Sequence, residues 1–244
     1  MSTEKTLNKN VKMHYCIGCG HTIVHRLIAQ LIDEMDIREK TIAAAPVGCS
    51  VLLYNYMNVD IIECAHGRAP AVMTAIKRCL PDRFILAYQG DGDLAAIGTN
   101  ETLHTANRGE NLTVVFINNA VYGMTGGQMA PTTLPGQITT TTPMGRGENY
   151  EGAPIKVCEL LATMDRPTYI ERVAVNNRED IKKTKEALKK AFQCQLDSKG
   201  YSLVEILAMC PTNWKTDLKD SLKFVDRMKE YFPLGVFKDV RGER

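Results

Sequence analysis

Two stretches decide the fold: residues 84–93, which read FILAYQGDGD, and residues 112–119, which read LTVVFINN. Each is an apolar run typical of a buried strand, and each ends on polar residues. The 25 residues between Gly92 and Asn118 leave room for a turn, one helix and a strand. Parallel strands joined by one crossover helix end at the same edge of a sheet. We therefore expect the two polar motifs to lie side by side where such sheets bind ligands.

The polar motifs carry the ligand types that suit a hard divalent cation. Asp91 offers a carboxylate and Asn119 an amide oxygen, which suit Mg²⁺ holding a phosphorylated cofactor. Gly90 and Gly92 let the backbone approach phosphate groups closely. The alternative is a plain turn followed by an unrelated strand end, since glycine and aspartate are ordinary turn residues. The pair at this spacing favours the cofactor interpretation.

Strand-like and helix-like segments alternate along the chain, which is typical of an α/β fold with a doubly wound, mostly parallel sheet. The predicted strands are residues 41–47, 58–63, 84–89, 112–117, 168–173 and 202–207. The predicted helices are residues 19–35, 69–80, 94–107, 155–164 and 178–196. Residues 121–150 show no period and are long for a connection, which indicates a functional loop. We expect one domain over residues 1–215 and a C-terminal helical extension over residues 216–244, with an amphipathic stretch at 217–231.

Composition argues against several classes of protein. Lys+Arg 30 and Asp+Glu 28 nearly cancel, so net charge gives no argument for binding nucleic acid or an anionic membrane. No apolar run approaches the length of a membrane span, and the polar residues 1–5 lack the apolar stretch of a signal peptide. We therefore expect a cytoplasmic protein. In that reducing compartment the eight cysteines are expected as core residues, metal ligands or reactive thiols rather than disulfides.

Cys16 and Cys19 form a C-x-x-C pair at the start of the first predicted helix. Such a pair is compatible with a redox dithiol, half of a zinc site or half of an iron–sulfur site. Cys49 and Cys210 each follow a predicted strand, and Cys210 precedes a proline, as some cluster ligands do. The other cysteines are interpreted as structural: Cys64, Cys79, Cys158 and Cys194. From the residues alone, one shared cluster and a set of scattered thiols stay equally open.

The order of motifs over residues 12–215 resembles the thiamine diphosphate-binding β subunit of the 2-oxoacid:ferredoxin oxidoreductases, most closely the 2-oxoisovalerate (branched-chain) type. The motifs are CIGCGH at 16–21, VGCS at 47–50, HGR at 66–68, GDGD at 90–93 and a specific run at 118–133 that begins NNAVYGMTGGQ. The resemblance implies that Asp91, Asn119 and the Val121 carbonyl bind Mg²⁺. It also implies a [4Fe–4S] cluster on Cys16, Cys19, Cys49 and Cys210. The implied cofactor-binding residues are Gly48, Cys49, Ser50, His66, Gly90, Asp91, Gly92, Asp93, Asn119, Val121, Tyr122, Gly123, Met124 and Thr125.

The resemblance also implies an activity, the oxidative decarboxylation of a 2-oxoacid to acyl-CoA and CO₂. Coenzyme A would be the co-substrate, and electrons would pass through the [4Fe–4S] cluster to ferredoxin. His66 is the implied catalytic residue, with a capping or packing role as the alternative, whereas His21 and His25 are interpreted as structural. Branched-chain 2-oxoacids are expected first, because Leu52 and Met124 would line an apolar pocket. 2-Oxoglutarate and then pyruvate follow, with a cation required for the second carboxylate of 2-oxoglutarate.

The chain has length for only the diphosphate-binding half of a thiamine site. The resemblance therefore implies an α subunit that supplies the pyrimidine-binding domain and its activating glutamate, together with a γ subunit and a ferredoxin-like δ subunit. The chain alone is then expected to be inactive. Two rival classes stay open: a thiamine enzyme without a cluster, and a zinc-binding scaffold subunit without catalysis.

Overall fold

The sheet of the computed structural model, which describes residues 5–243 apart from the side chain of Glu148, is parallel except at one edge. Its strands are β1 Thr41–Ala45, β2 Asp60–Glu63, β3 Phe84–Gly90, β4 Thr113–Asn118, β5 Tyr169–Ala174, β6 Ser202–Leu207 and β7 Gly235–Asp239. They lie in the order β2-β1-β3-β4-β6-β5-β7, and only the β5–β7 pair is antiparallel. The predicted doubly wound, mostly parallel sheet is thus confirmed.

Helices cover both faces of this sheet. They are α1 Gly20–Glu34, α2 Ala69–Cys79, α3 Thr99–Arg108, α4 Glu148–Glu151, α5 Val157–Ala162, α6 Arg178–Leu196, α7 Pro211–Trp214 and α8 Leu218–Tyr231. Side chains of α1, α6 and α8 pack into one buried apolar cluster, and those of α2, α3 and α5 pack into a second. Successive residues of β3 alternate between the clusters, with Leu86 in the first and Ala87 in the second. The sheet is therefore the middle layer of three.

The strand order reverses between β1 and β3, since β2 lies on one side of this pair and the later strands lie on the other. Such a reversal leaves a crevice at the carboxyl ends of the two strands, where α/β sheets bind ligands. β3 pairs with β4 in parallel, with Gly90 opposite Ile117. The predicted adjacency of the GDGD and NN motifs is confirmed, because both motifs leave the sheet at this edge.

The helix predicted over residues 94–107 is interrupted. Asp93–Ile97 form one wide π-helical turn, and α3 begins only at Thr99. Gly98 lies at the break, in close contact with the loop that carries Gly67: a Cβ on Gly98 would stand 2.8 Å from the Gly67 Cα. The two loops can approach this closely only because both positions are glycine. The wide turn keeps Asp93 beside the sheet edge, as π turns often do at functional sites.

The C-terminal region contributes a helix that packs on the sheet and a strand that joins the edge of the sheet. Val225 and Met228 of α8 are fully buried, and β7 forms the antiparallel edge strand beside β5. The predicted amphipathic helix is confirmed, whereas β7 was not predicted from the sequence. The division at residue 215 stays a prediction. Residues 1–4 of the predicted polar N-terminus and residue 244 of the extension lie outside the described residues.

The four cysteines interpreted as structural do not behave alike. Cys64, Cys158 and Cys194 are buried, as a core interpretation requires. Cys79 is exposed at the end of α2, so the core interpretation is wrong for it. Between residues 5 and 243, no helix is both long and apolar enough to cross a lipid bilayer.

Candidate functional site

A pocket of about 340 Å³ opens at the switch point between β1 and β3. Thirteen of the fourteen residues predicted to bind the cofactor line it: Gly48, Cys49, Ser50, His66, Gly90, Asp91, Gly92, Asp93, Asn119, Tyr122, Gly123, Met124 and Thr125. The remaining one, Val121, contacts Asp91 and Asn119 through its backbone N–H and carbonyl groups. At Gly90 a Cβ would meet no protein atom within 4 Å, so the backbone there faces open pocket space. The structure thus brings together residues that are far apart in the sequence.

Asp91, Asn119 and Val121 form an oxygen-rich corner of this pocket. The Asn119 amide directs one terminal atom at Asp91 Oδ2, 3.1 Å away, and at the Val121 carbonyl oxygen, 2.7 Å away. With the amide nitrogen in that place, Asn119 donates two hydrogen bonds. With the oxygen there, three oxygen atoms converge, an arrangement that a cation stabilises. The donor set is therefore chemically suited to a hard divalent ion.

The Asp91 carboxylate is buried, at 4% exposure, and is surrounded by donors. Val121 N and Thr132 Oγ1 both donate to its Oδ2, each at 3.2 Å. Burial nevertheless raises the pKa of Asp91 to about 7, although the backbone N–H groups of Val121 and Gly92 counter the shift. A divalent cation at this corner would supply the missing counter-charge and reverse that shift.

His66 and Asp93 form a hydrogen-bonded pair on the opposite wall of the pocket. His66 Nδ1 lies 2.6 Å from Asp93 Oδ1, and the imidazole is 39% exposed. Asp93 is buried and also accepts hydrogen bonds from Gly67 N (2.8 Å) and from the Gln89 side chain. An Nδ1–H that donates to this carboxylate leaves Nε2 as the proton-accepting nitrogen. The structure therefore engages Asp93, predicted as a cofactor contact, mainly in orienting His66.

A second cavity of about 260 Å³ adjoins the first. All four cysteines predicted as cluster ligands line it: Cys16, Cys19, Cys49 and Cys210. They come from three places in the fold, namely the turn before α1, the segment after β1 and the segment between β6 and α7. Gly123 lies between two of them, since a Cβ there would stand 3.1 Å from Cys49 Sγ and 3.6 Å from Cys210 Sγ.

The cysteine cavity is not arranged as a redox dithiol or as a single-ion site. Burial, with a smaller contribution from the neighbouring thiols, raises the pKa of Cys19 and of Cys49 to about 12. A reactive dithiol needs the opposite shift. Among residues 5–243, no three His, Cys, Asp or Glu side chains converge as ligands of one metal ion. The four thiols instead surround a space, with Asn213 Nδ2 donating to Cys210 Sγ at 3.3 Å.

Both cavities share part of their lining. Cys49, Asn119, Gly123 and Met124 belong to each of them. The Asn119 backbone carbonyl is held from the other side by Trp214 Nε1 at 3.0 Å. The oxygen-rich corner and the cysteine cavity are therefore separated by little more than single side chains.

A group of aromatic rings, buried except for exposed His14 and half-buried Tyr15, backs both cavities, and sequence reasoning missed it. Its members are His14, Tyr15, His21, His25, Tyr56 and Tyr88. His21, interpreted from the sequence as structural, lines the first pocket, and its Nδ1 lies 2.7 Å from Tyr88 Oη. Burial lowers the pKa of His21 to about 3, so this wall is a neutral imidazole. The i, i+4 spacing of His21 and His25, with Tyr15 ahead of it, was the available signal.

Leu52, predicted to line the pocket, and Arg68, the cation of the HGR motif, both lie outside it. Leu52 packs against the apolar cluster of α1, α6 and α8 and is absent from the pocket lining. Arg68 is paired with Glu101 beside α2 and α3 and does not line the pocket. Met124 does line it, and is half exposed at 54%. The apolar side of the pocket is thus formed by Met124, Ile97 and Val47 rather than by Leu52.

The fold and the switch-point pocket place the chain among the thiamine pyrophosphate enzymes. The family model for the "Thiamine pyrophosphate enzyme, C-terminal TPP binding domain" matches residues 46–206. This range begins just after β1 and contains β2 to β5, nearly all of β6 and both polar motifs.

Proteins of similar sequence identify the family within the thiamine pyrophosphate enzymes. The chain is 49% identical over 231 residues to the ketoisovalerate oxidoreductase subunit VorA of Methanothermobacter thermautotrophicus, covering 94% of this chain and 48% of the relative. It is 38% identical over 199 residues to the 2-oxoglutarate synthase subunit KorB of Methanocaldococcus jannaschii, covering 81% and 69%. The chain therefore belongs to the family of thiamine pyrophosphate-binding subunits of 2-oxoacid:ferredoxin oxidoreductases. It spans about half the length of the ketoisovalerate relatives that it matches.

A solved structure has the same fold over nearly the whole chain. It is the 2-oxoglutarate:ferredoxin oxidoreductase from Magnetococcus marinus with 2-oxoglutarate, coenzyme A and succinyl-CoA bound. The TM-score is 0.80 at 26% identity, and the match covers 98% of this chain and 85% of that one. The agreement therefore includes the C-terminal region with α8 and β7.

Proposed function

We propose that this chain is the β subunit of a 2-oxoacid:ferredoxin oxidoreductase that converts a branched-chain 2-oxoacid, such as 2-oxoisovalerate, into acyl-CoA and CO₂. Electrons would leave through a [4Fe–4S] cluster to ferredoxin. The observation that carries the proposal is the lining shared by the two cavities, with Cys49, Asn119, Gly123 and Met124 in both. A decarboxylation site and an electron exit must be close neighbours for such an oxidation.

Thiamine diphosphate would lie with its diphosphate at the GDGD edge. Mg²⁺ would be held there by Asp91, Asn119 and the Val121 carbonyl, since the Asn119 amide already directs a terminal atom at the Asp91 and Val121 oxygens. The open space before Gly90 supports a close approach of phosphate to the backbone. Ser50, Tyr122 and Thr125 are the further contacts proposed from the pocket lining.

A [4Fe–4S] cluster would take one thiolate from each of Cys16, Cys19, Cys49 and Cys210. Because each thiolate binds a different iron, the ligands surround the cluster rather than converge on one atom. This arrangement favours a cluster over the zinc-binding alternative. Bound iron would also offset the raised pKa values of Cys19 and Cys49, since a coordinated thiol is deprotonated.

The residues of this chain would bind, orient and transfer a proton around the cofactor. Thiamine diphosphate supplies, when bound, an electron sink for the loss of CO₂ from a 2-oxoacid. His66 Nε2 would accept or return a proton at the pocket mouth, and Asp93 would fix the tautomer that allows this. His21 and Met124 would limit water on the opposite side.

The pocket lining supports an apolar substrate tail. None of the described residues that line the pocket is Lys or Arg, and His21 is neutral. A second carboxylate, as in 2-oxoglutarate, would therefore find no cation from this chain. The 49% identity to a ketoisovalerate oxidoreductase subunit supports the same order. 2-Oxoglutarate is the second candidate, favoured by the KorB relatives and the Magnetococcus structure.

The site would be completed by other chains. An α subunit would supply the pyrimidine-binding domain and its activating glutamate, coenzyme A would accept the acyl group, and γ and ferredoxin-like δ subunits would complete the complex. The ketoisovalerate and 2-oxoglutarate relatives are both named as subunits, which supports a function shared with other chains. A cytoplasmic location stays a prediction of the sequence.

One anaerobic preparation of the complex tests the proposal. Iron, acid-labile sulfide and thiamine are assayed, and viologen reduction is followed with 2-oxoisovalerate, 2-oxoglutarate and pyruvate. We expect one thiamine and at least four irons per copy of this chain, since the ferredoxin-like δ subunit would add iron of its own, and the highest kcat/KM for 2-oxoisovalerate. Zinc without thiamine would replace the proposal by the scaffold alternative, and thiamine without iron by the cluster-free enzyme. A preference for 2-oxoglutarate would overturn the argument from the uncharged pocket.

A further inference from the structure

One backbone conformation at the oxygen-rich corner is strained. Ala120, which lies between the proposed Mg²⁺ ligands Asn119 and Val121, has a φ of 56°. This left-handed region is disfavoured for residues with a Cβ, and alanine has no polar side chain to compensate. The other described non-glycine residues with a positive φ are all exposed: Asp36, Ser198 and Lys215. Ala120 is fully buried, so its conformation must be held by its surroundings.

Three buried side chains hold both backbone polar groups of Ala120. Its carbonyl accepts hydrogen bonds from Thr133 Oγ1 at 2.8 Å and from Gln137 Nε2 at 2.9 Å. Its N–H donates to Asn118 Oδ1 at 3.1 Å. The N–H and the carbonyl belong to the two peptide planes that flank the Ala120 Cα. Because both planes are fixed, φ and ψ of this residue are fixed as well.

The two side chains that bind the Ala120 carbonyl are themselves held in place by the loop that carries them. Gln137 Oε1 accepts from Leu134 N at 2.9 Å, so both ends of the amide are paired in one orientation. Thr133 Oγ1 also accepts from Ala130 N at 2.8 Å. Buried Arg146 donates from Nη1 to the Thr133 carbonyl at 2.6 Å and from its backbone N–H to the Gln137 carbonyl at 3.0 Å. Residues 130–146 are therefore preorganised by their own contacts.

We propose that Thr133 and Gln137 are positioning residues for the Mg²⁺ site. The inference rests on the proposed function, because it requires Mg²⁺ to bind beside Asn119 and Val121. A rotation about the N–Cα bond of Ala120 moves the Val121 carbonyl relative to the Asn119 side chain. A return of Ala120 to a negative φ would therefore separate two of the three proposed ligands. The loop thus maintains the ligand geometry through the backbone, while Thr133 and Gln137 themselves do not contact the metal.

Five substitutions separate this role from a general effect on stability. Thr133→Val and Gln137→Leu each remove one donor to the Ala120 carbonyl, and either suffices if the other folds poorly. Thr133→Ser keeps the hydroxyl. Thr184→Val is the matched control, because Thr184 is also fully buried and donates at 2.7 Å to a strand-end carbonyl, that of Ala174, outside the pocket. Ala120→Gly is the rescue variant, since glycine adopts a positive φ without strain.

The experiment titrates Mg²⁺ by calorimetry into the purified complex, which has been freed of Mg²⁺ and supplied with excess thiamine diphosphate. We expect Thr133→Val and Gln137→Leu each to raise the Kd for Mg²⁺ by about tenfold, since a left-handed alanine that lacks a partner becomes a minor conformer. Thr133→Ser should match wild type. Ala120→Gly, added to Thr133→Val, should return the Kd to within about threefold of wild type. Thr184→Val should lower the midpoint of thermal unfolding and leave the Kd for Mg²⁺ unchanged.

Three results would overturn the inference while Mg²⁺ still binds the wild-type complex. The first is a Kd for Mg²⁺ that Thr133→Val and Gln137→Leu leave unchanged. The second is a raised Kd that Ala120→Gly does not restore, because the effect would then not pass through the conformation of Ala120. The third is an equal rise in Thr184→Val, which would indicate general destabilisation. A wild-type complex that binds thiamine diphosphate but no Mg²⁺ would instead reject the metal site of the proposed function, and the inference with it.

Discussion

Gly123→Ala is the sharpest test of the lining that the two cavities share. Gly123 does not have a positive φ, so alanine can adopt its backbone conformation without strain. The added Cβ would stand 3.1 Å from Cys49 Sγ and 3.5 Å from Asn213 Nδ2. Favourable contacts between heavy atoms lie at about 3.5–4.0 Å, so the Cys49 sulfur must retreat by about 0.4 Å or more. Functional constellations tolerate about 0.5 Å, so the displacement reaches the limit for a cluster ligand.

The fold itself should absorb the extra methyl group. Overpacking costs about 1–3 kcal/mol, and replacing a compatible glycine recovers about 0.4–1 kcal/mol through the unfolded state. The cluster-free variant should therefore lose at most about 2.5 kcal/mol in free energy of unfolding. Gly242→Ala is the control, because a Cβ at Gly242 meets nothing within 4 Å.

The assay compares iron, sulfide and bound thiamine per chain in wild type and both variants, prepared anaerobically. We expect Gly123→Ala to lose more than half of the four irons proposed for this chain and to lose viologen reduction in proportion, while Gly242→Ala keeps both. Full iron content with full activity in Gly123→Ala would refute the reasoning. Unfolding of the variant before it loses iron would also refute the reasoning, because the substitution would then destabilise the whole fold rather than the cysteine cavity.

Three further predictions concern single side chains. Asp91→Asn should abolish Mg²⁺-dependent thiamine binding in titrations. The folded-state pKa of Asp91 is raised from 3.8 to about 7, so the metal-free wild type should lose thermal stability as pH rises from 3.8 to about 7, and the variant should not. The same dependence of thermal stability on pH in both proteins would contradict this. Glu205→Gln should lower the free energy of unfolding by about 1.5–3 kcal/mol in urea, since buried Arg172 loses one charged hydrogen bond, at 2.8 Å, and keeps Glu159; an unchanged midpoint would be inconsistent with that contribution. Asp93→Asn should lower kcat by about a hundredfold with thiamine affinity retained, because His66 loses its orienting carboxylate; a loss of affinity instead would assign Asp93 to cofactor binding.

Much of the site was predictable because its residues follow strand ends. A strand that ends on Gly90 and a neighbour that ends on Asn118 must deliver their next residues to one edge, whatever the rest of the chain does. The α6 bounds were predicted to the residue, since Asn177 caps the helix and an amphipathic pattern continues to Leu196. In both cases the prediction depends on residues that are close in the sequence, so it does not depend on how distant segments pack.

The remaining features depend on contacts between distant segments. Whether Cys16 and Cys210 share a cavity is decided by how α1 packs against the end of β6, which no spacing records. Leu52 is apolar, as a pocket residue would be. A short 3₁₀ turn over Val51–Asn55 instead packs it, half-buried, against the apolar core. The edge strand β7 has a weak pattern of its own and exists because β5 offers it an unpaired edge.

The shared lining has a consequence for how this sequence can change over time. Cys49, Asn119, Gly123 and Met124 each face two chambers at once. A substitution that improves the fit on one side alters the other, so these four positions accept only changes tolerated by both. Loss of the proposed cluster from a descendant would therefore reshape the proposed thiamine pocket as well, and the two proposed cofactors would have to be kept or lost together.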